Sequence, residues 1–304
     1  MKKNSSTGRH ARECLFPVGN PGASAPRQRP AIVPFFLPFA GCPHRCLFCA
    51  QDKQTGHTRP SDCLPYPQAL ANLLSELETH HMERTASRPI ELAFYGGTFT
   101  ALPERLQMEC LALAMQAKEK GIVCRVRCST RPDALRPDRL QALRHAGLDL
   151  VELGIQSFHT EALLDVQRGY NGDRAREGCR LIKESGLKLG IQLLPGMPGS
   201  TPQRFSEDVE EALAFSPSCL RFYPCLVVDG TPLAERWRIG QYAPWELDTT
   251  ITTLGKALAS AWARRIPVIR LSLAPERWRG PATRHSAISS KVKRCSKRSV
   301  RISL

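Results

Sequence analysis

The stretch Ala31-Ile32-Val33-Pro34-Phe35-Phe36-Leu37, followed four residues later by Cys42-Pro43-His44-Arg45-Cys46-Leu47-Phe48-Cys49, decides how the chain is read. The first part is a short β-branched and aromatic run, the pattern of a buried strand. The second is a C-x3-C-x2-C triplet on a segment that Pro43 keeps from being regular helix. Three thiols this close, on one loop after one strand, can hold one metal centre. Electron-transfer iron–sulfur clusters take four cysteine ligands, so three leave one iron open to another ligand. The competing reading is a closed zinc site with His44 as fourth ligand. A single residue separates Cys42 from His44 and no second cysteine pair lies nearby, so iron–sulfur is favoured.

Downstream the chain alternates. Strand-like runs fall at 31–37, 90–95, 122–128, 149–154, 188–194, 219–223 and 266–273, with helix-like segments at 66–82, 103–120, 137–146, 173–185, 204–215 and 247–264. Gly121, Gly147 and Gly186 stand where left-handed helix caps would need them. Strand–helix alternation predicts an α/β fold with a parallel sheet and right-handed crossovers. The repeat count fits a partial (β/α)6-type TIM barrel better than a closed one, with the chemistry on the loops after the strands.

The net charge of +15 sits mostly at the ends: residues 1–30 carry +5 and residues 276–304 carry +8, leaving +2 on the body. That distribution is weak evidence for a folded nucleic-acid surface. Residues 1–30 read as a disordered leader, 31–275 as the core domain and 276–304 as a disordered basic tail. Of twelve cysteines only 42, 46 and 49 cluster and the others are scattered, which fits free thiols in a reducing cytoplasm rather than a disulfide framework. Residues 35–42 look superficially like a lipoprotein signal. The long preamble, Pro30, Pro34 and Pro38, and the two further cysteines argue against it. No apolar run has membrane-spanning length, so no membrane is expected.

The triplet at the end of a first strand, with Phe48 before the third cysteine, resembles the signature of the radical S-adenosylmethionine (SAM) superfamily. The resemblance implies a [4Fe–4S] cluster on Cys42, Cys46 and Cys49 whose open iron is chelated by the methionyl moiety of the cofactor. It further implies reductive cleavage of the cofactor to a 5′-deoxyadenosyl radical, driven by a reductant such as flavodoxin or ferredoxin. Phe48 is counted with the cofactor contacts. Gly96-Gly97-Thr98 matches the position that meets the cofactor's amino group, and Ser129 or Thr130 the ribose or methionyl position. Gln156 and Arg168, twelve residues apart, resemble the cofactor-holding pair of oxygen-independent coproporphyrinogen oxidase and its relatives. An arginine suits a methionyl carboxylate through a bidentate bond. Gln192 and Leu194, on the loop Leu193-Leu194-Pro195-Gly196-Met197-Pro198-Gly199, are the candidates beside the adenine. Tyr223 ends a strand and faces either the substrate cavity or the core.

Ser129-Thr130-Arg131-Pro132-Asp133, Arg168-Gly169-Tyr170, Arg221-Phe222-Tyr223-Pro224 and Asp229-Gly230-Thr231-Pro232-Leu233 are more particular. They resemble the radical domain of the Elongator catalytic subunit, a tRNA wobble-uridine modifying enzyme, and its short bacterial relatives. The substrate expected on that resemblance is tRNA or a small molecule. Two departures stand out: the subunit spaces its cysteines more widely, and nothing after 275 reads as its acetyltransferase-like domain. The acid-free segment 280–304 reads as a possible product of a shifted frame. The alternatives are a coproporphyrinogen-oxidase-like enzyme and a non-catalytic haem or iron–sulfur carrier.

Overall fold

The computed structural model describes residues 13–15, 30–51, 65–82, 89–271 and 301–303. Seven parallel strands form one sheet in strictly sequential order: β1 (Ala31–Phe36), β2 (Ile90–Tyr95), β3 (Val123–Thr130), β4 (Leu150–Gln156), β5 (Lys188–Leu193), β6 (Cys219–Phe222) and β7 (Val268–Arg270). Each neighbour pair is parallel, from Ala31 opposite Ile90 to Leu220 opposite Val268. The sheet curls into a half-barrel wrapped by helices, which is the architecture expected from the alternation. The expected leader and tail lie outside the described residues, except that Glu13–Leu15 pairs antiparallel with Arg301–Ser303.

The long helices are α1 (Tyr66–Met82), α2 (Glu104–Glu119), α3 (Pro137–His145), α5 (Gly172–Glu184), α6 (Pro202–Ala214) and α8 (Leu247–Ala263). Two short ones, α4 (Thr160–Asp165) and α7 (Pro232–Arg238), were not evident from periodicity. Local chemistry sets the starts. Asn171, Thr201 and Thr231 accept bonds from Arg174, Arg204 and Ala234 backbone N–H groups, and Pro202 and Pro232 occupy first-turn positions where no donor is needed. Gly121, Gly147 and Gly186 are left-handed at φ +74°, +100° and +77°, as the sequence predicted.

The two faces of the sheet differ in chemistry. Leu92, Phe94, Val126, Cys128, Leu153, Ile191 and Phe222 join Leu70, Leu111, Ile182, Phe205 and Leu254 of the helices in the main apolar core. The alternate residues face inward, as the period of two requires. They include Glu91, Arg127, Glu152 and Arg221, all buried. Arg127 meets Glu91 at 2.6 Å and Glu152 at 2.9 Å. Glu152 also pairs with Arg221 and accepts from the Tyr95 hydroxyl. The Arg221 guanidinium lies 4.5 Å from the Tyr95 ring centre and 4.9 Å from that of Tyr223. Parallel sheets are ordinarily apolar on both faces, so a charged inner wall marks a chamber built for polar contents.

Removing one member of such a network leaves its partners buried and uncompensated, at a cost of about 3–5 kcal/mol. Glu152→Gln is therefore expected to lower the urea unfolding midpoint strongly. Glu78→Gln, which removes a surface partner of Lys120, is expected to leave it unchanged. Equal midpoints for the two variants would contradict the network's place in the fold.

Candidate functional site

The cysteine loop leaves β1 and is clasped onto the end of β2. Leu37 N–H donates to Tyr95 O at 2.7 Å, Phe39 N–H to Gly96 O at 3.1 Å, and Thr98 N–H to Ala40 O at 2.8 Å. The clasp needs bare backbone. A Cβ on Gly97 would stand 2.3 Å from Ala40 O and 2.6 Å from Leu37 O, and one on Gly41 would stand 2.4 Å from Thr98 O. Further on, Leu47 is strapped at both ends: its N–H donates to Val166 O and its carbonyl accepts from Leu233 N–H. His44 Nε2 lies 2.7 Å from Gln167 O, and the ring packs on Gly169. His44 thus ties the cysteine loop to the segment around Gln167 and Gly169.

The three cysteines are free thiols; Cys46 is buried, Cys42 and Cys49 half-buried. Cys42 Sγ lies 3.2 Å from Thr98 Oγ1. Burial, followed by the nearby Cys46 and Cys42, pushes the Cys49 thiol up to about 12, so the three sulfurs feel one another. Two guanidiniums approach Cys46 Sγ: Arg168 Nη1 at 3.1 Å and Arg131 Nη1 at 3.8 Å. Among the described residues no three His, Cys, Asp or Glu side chains are arranged to hold a single metal ion. A donor set of three soft thiols on one loop, with cationic charge beside it, fits an open iron–sulfur cluster.

Beside the loop lies a polar wall at the ends of β4 and β5. Gln156 sits at a register shift in β4 with φ +68°, and its side chain is grouped with Arg168 around Gly154. Gln192 Nε2 is 3.4 Å from Gln156 Oε1, and Leu194 N–H donates to Gln156 O. Asp208, buried under this turn, accepts from Phe158 N–H at 2.6 Å and Ser157 Oγ at 2.7 Å. Burial raises its carboxyl to about 6 despite those bonds, which favour the charged form.

The structure separates residues that the sequence left open. Thr130 Oγ1 bonds Thr100 Oγ1 at 2.6 Å, on the side of the helical turn Phe99–Ala101, whereas Ser129 lies on the inner face with its hydroxyl 3.4 Å from Phe94 O. Thr98 is fully buried against Cys42, and Gly97 packs on loop backbone. Phe48 and Leu194 belong to a second apolar cluster with Leu47, Met197, Tyr223, Cys225, Leu233 and Tyr242. Arg168 rests on Cys46 and Gly154 O rather than pointing freely into the chamber. Arg131 was quoted only as part of a motif. Its only sequence signal was Asp133 two residues on, which holds it bidentately.

The sequence profile of the Radical SAM superfamily matches residues 36–212, the segment that carries the cysteine loop, the Gly-Gly-Thr clasp and the Gln156–Arg168 wall. The chain belongs to the radical SAM superfamily. A profile of the Radical SAM C-terminal domain matches residues 217–294, reaching into the segment read above as tail. Among curated proteins, the tRNA uridine(34) acetyltransferase of Methanocaldococcus infernus is 28% identical over 269 residues, covering 77% of this chain and 50% of that protein. Human Elongator complex protein 3 is 27% identical over 197 residues, covering 58% of this chain and 36% of its own. The chain thus spans about half the length, or less, of these relatives. Among solved structures, archaeal Elp3 from M. infernus superposes with a TM-score of 0.62 at 23% identity, covering 89% of this chain and 63% of its own. Coproporphyrinogen III oxidase from Escherichia coli superposes at 0.52 and 19% identity, covering 78% and 54%. Both share the fold, and the resemblance of this radical SAM chain to the Elongator radical domain holds in sequence and architecture.

The clasp generates a sharp expectation. Gly97→Ala must displace the Ala40 and Leu37 carbonyls that seat the cysteine loop. We expect bound iron to fall several-fold after reconstitution while far-UV circular dichroism is retained. Full iron loading in that variant would mean that the loop is not seated by this contact.

Proposed function

We propose that this radical SAM chain holds a [4Fe–4S] cluster on Cys42, Cys46 and Cys49, binds S-adenosylmethionine across the ends of β4 and β5, and acts on a tRNA uridine. The observation that carries the reading is the loop itself: three free cysteines within eight residues, with two guanidiniums turned toward one of them. Cys42, Cys46 and Cys49 would hold the cluster, and the chemistry it would supply is one electron for reductive cleavage of the S-adenosylmethionine C–S bond, giving methionine and a 5′-deoxyadenosyl radical.

The chain's own groups do the rest. Gly97 and Gly41 let the loop lie on Thr98, so the sulfurs are held at fixed positions above the chamber. Gln156, Gln192 and Ser129 present amides and a hydroxyl on the inner side, suited to amino, carboxylate and ribose groups. Asp208 fixes the turn that carries Gln156. Leu47, Phe48, Leu194 and Met197 keep water from one side of the loop. The inner face beneath, with Glu152, Arg221, Tyr95 and Tyr223, offers polar contacts to a substrate base.

Support for tRNA comes from relatives whose names specify tRNA uridine(34), aligned over 77% of this chain. The acetyl transfer in those names belongs to those proteins, and the proposal is confined to the radical step. A one-electron donor such as flavodoxin or ferredoxin and a cytoplasmic setting complete the reading. No helix among the described residues is long and apolar enough to cross a membrane.

The test is anaerobic reconstitution with iron and sulfide, addition of dithionite and S-adenosylmethionine, and quantification of 5′-deoxyadenosine. Release of the nucleoside is expected from the wild type and from none of the Cys42→Ala, Cys46→Ala and Cys49→Ala variants. A purified protein that holds zinc and takes up no cluster would sink the reading. A cluster that forms without any cleavage would favour the carrier alternative. Adding tRNA is expected to raise the yield, and indifference to tRNA would remove that substrate.

A further inference from the structure

We infer that Arg168 and Arg131 form a cationic clamp on Cys46 that raises the reduction potential of the cluster. The inference rests on the radical-enzyme reading above and deepens it.

The geometry is asymmetric. The two guanidiniums come from residues 122 and 85 positions away in the chain, yet both approach the same sulfur, at 3.1 and 3.8 Å. The Cys42 sulfur, in contrast, faces the uncharged hydroxyl of Thr98.

Both arginines are fixed from behind. Arg168 donates through Nη2 to Gly154 O at 2.6 Å and through Nε to the Tyr170 hydroxyl at 3.0 Å. Arg131 is gripped by Asp133 at 2.9 and 2.8 Å and also donates to Arg168 O. The Tyr170 ring lies 5.1 Å from the Arg168 guanidinium and 5.5 Å from that of Arg131. Neither cation needs to reorganise to face the sulfur.

The charges are unequal too. Asp133 offsets Arg131, but Arg168, only 6% exposed, has no carboxylate in ion-pair contact among the described residues. Its Nη1 is turned to the Cys46 sulfur at 3.1 Å.

The direction of the effect follows from charge. One-electron reduction adds one negative charge to the cluster and its thiolates. Fixed cations and N–H donors at a ligand sulfur stabilise the more negative state, and hydrogen bonds to sulfur are a recognised control of cluster potential. Arg168 and Arg131 are therefore positioning residues that act through Cys46. They ease the demand on the one-electron donor.

The test uses the full chain, reconstituted anaerobically, with dithionite as reductant. Redox titration followed by electron paramagnetic resonance gives the potential, and iron per chain is measured on the same samples. In Arg168→Gln and Arg131→Gln, iron is expected to stay at the wild-type level while reduction becomes about tenfold less favourable, a shift of about 59 mV to more negative potential for a one-electron couple. Arg168→Lys keeps the charge but loses the fork, and is expected to fall between. Where an Arg168 variant does not fold, Arg131→Gln decides. Unchanged potentials at full iron content would overturn the clamp and leave the radical reading intact. Loss of iron in the variants of both residues, with secondary structure kept, would make them loop anchors and also overturn it. A wild-type chain that takes up no cluster would remove the radical reading itself.

Discussion

The Glu152 carboxylate is the tie that holds the inner face of the half-barrel together. From β4 it reaches Arg127 on β3, Tyr95 on β2 and Arg221 on β6. To reach Arg221 it must cross β5, and β5 offers Gly190 there. A Cβ on Gly190 would stand 3.1 Å from Glu152 Cγ and 3.0 Å from Cys219 Sγ, tighter than ordinary contact. The missing side chain is what lets one carboxylate bridge strands that are not neighbours. A shift of one residue in any strand would turn its charge toward the helices, where nothing answers it, so the network also fixes register.

With the sheet in register, the ends of the strands stand at fixed heights and the loops above them can interlock. The cysteine loop is held at three places along its length. Backbone bonds to Tyr95, Gly96 and Thr98 hold its entry, and His44 on Gln167 holds its middle. Leu47, strapped between Val166 and Leu233, holds its exit. Val166, the residue that caps α4, and Leu233 on α7 supply the last two anchors, which gives these short helices a purpose beyond packing. Arg236 on α7 meets Asp165 on α4 at 2.5 Å, so the anchors are themselves joined.

Much of this was legible from the residues. The long helices and the seven strands follow from apolar periodicity, and the left-handed glycines from helix-capping chemistry. The cysteine triplet is legible because three soft ligands so close together have few other uses. What stayed hidden depends on distance through space. Arg125-Val126-Arg127-Cys128 reads as an ordinary half-exposed strand, since nothing local says that Arg127 finds Glu91 and Glu152 inside the curl. Helix α4 is six residues and α7 seven, too short for a period of 3.6 to declare itself. Ser129 and Thr130 are chemically alike, and only the phase of the strand tells which faces the chamber. Arg131 carries no local signal of its contact, because the Cys46 sulfur it approaches is 85 residues away in the chain.

The surroundings of the cysteine loop then divide in two. On one side stand Leu47, Phe48, Leu194, Met197, Tyr223 and Leu233, which exclude water; on the other stand Arg131 and Arg168. These halves reinforce each other. Charge interactions strengthen as the local dielectric falls, so an apolar wall makes a nearby guanidinium count for more than it would at a solvated surface. The same wall raises the cost of any unbalanced charge. Cys46, which the two guanidiniums face, is the one cysteine of the three that is buried. Enclosure and cationic neighbours thus fall on the same sulfur, while those of Cys42 and Cys49 are only half-buried.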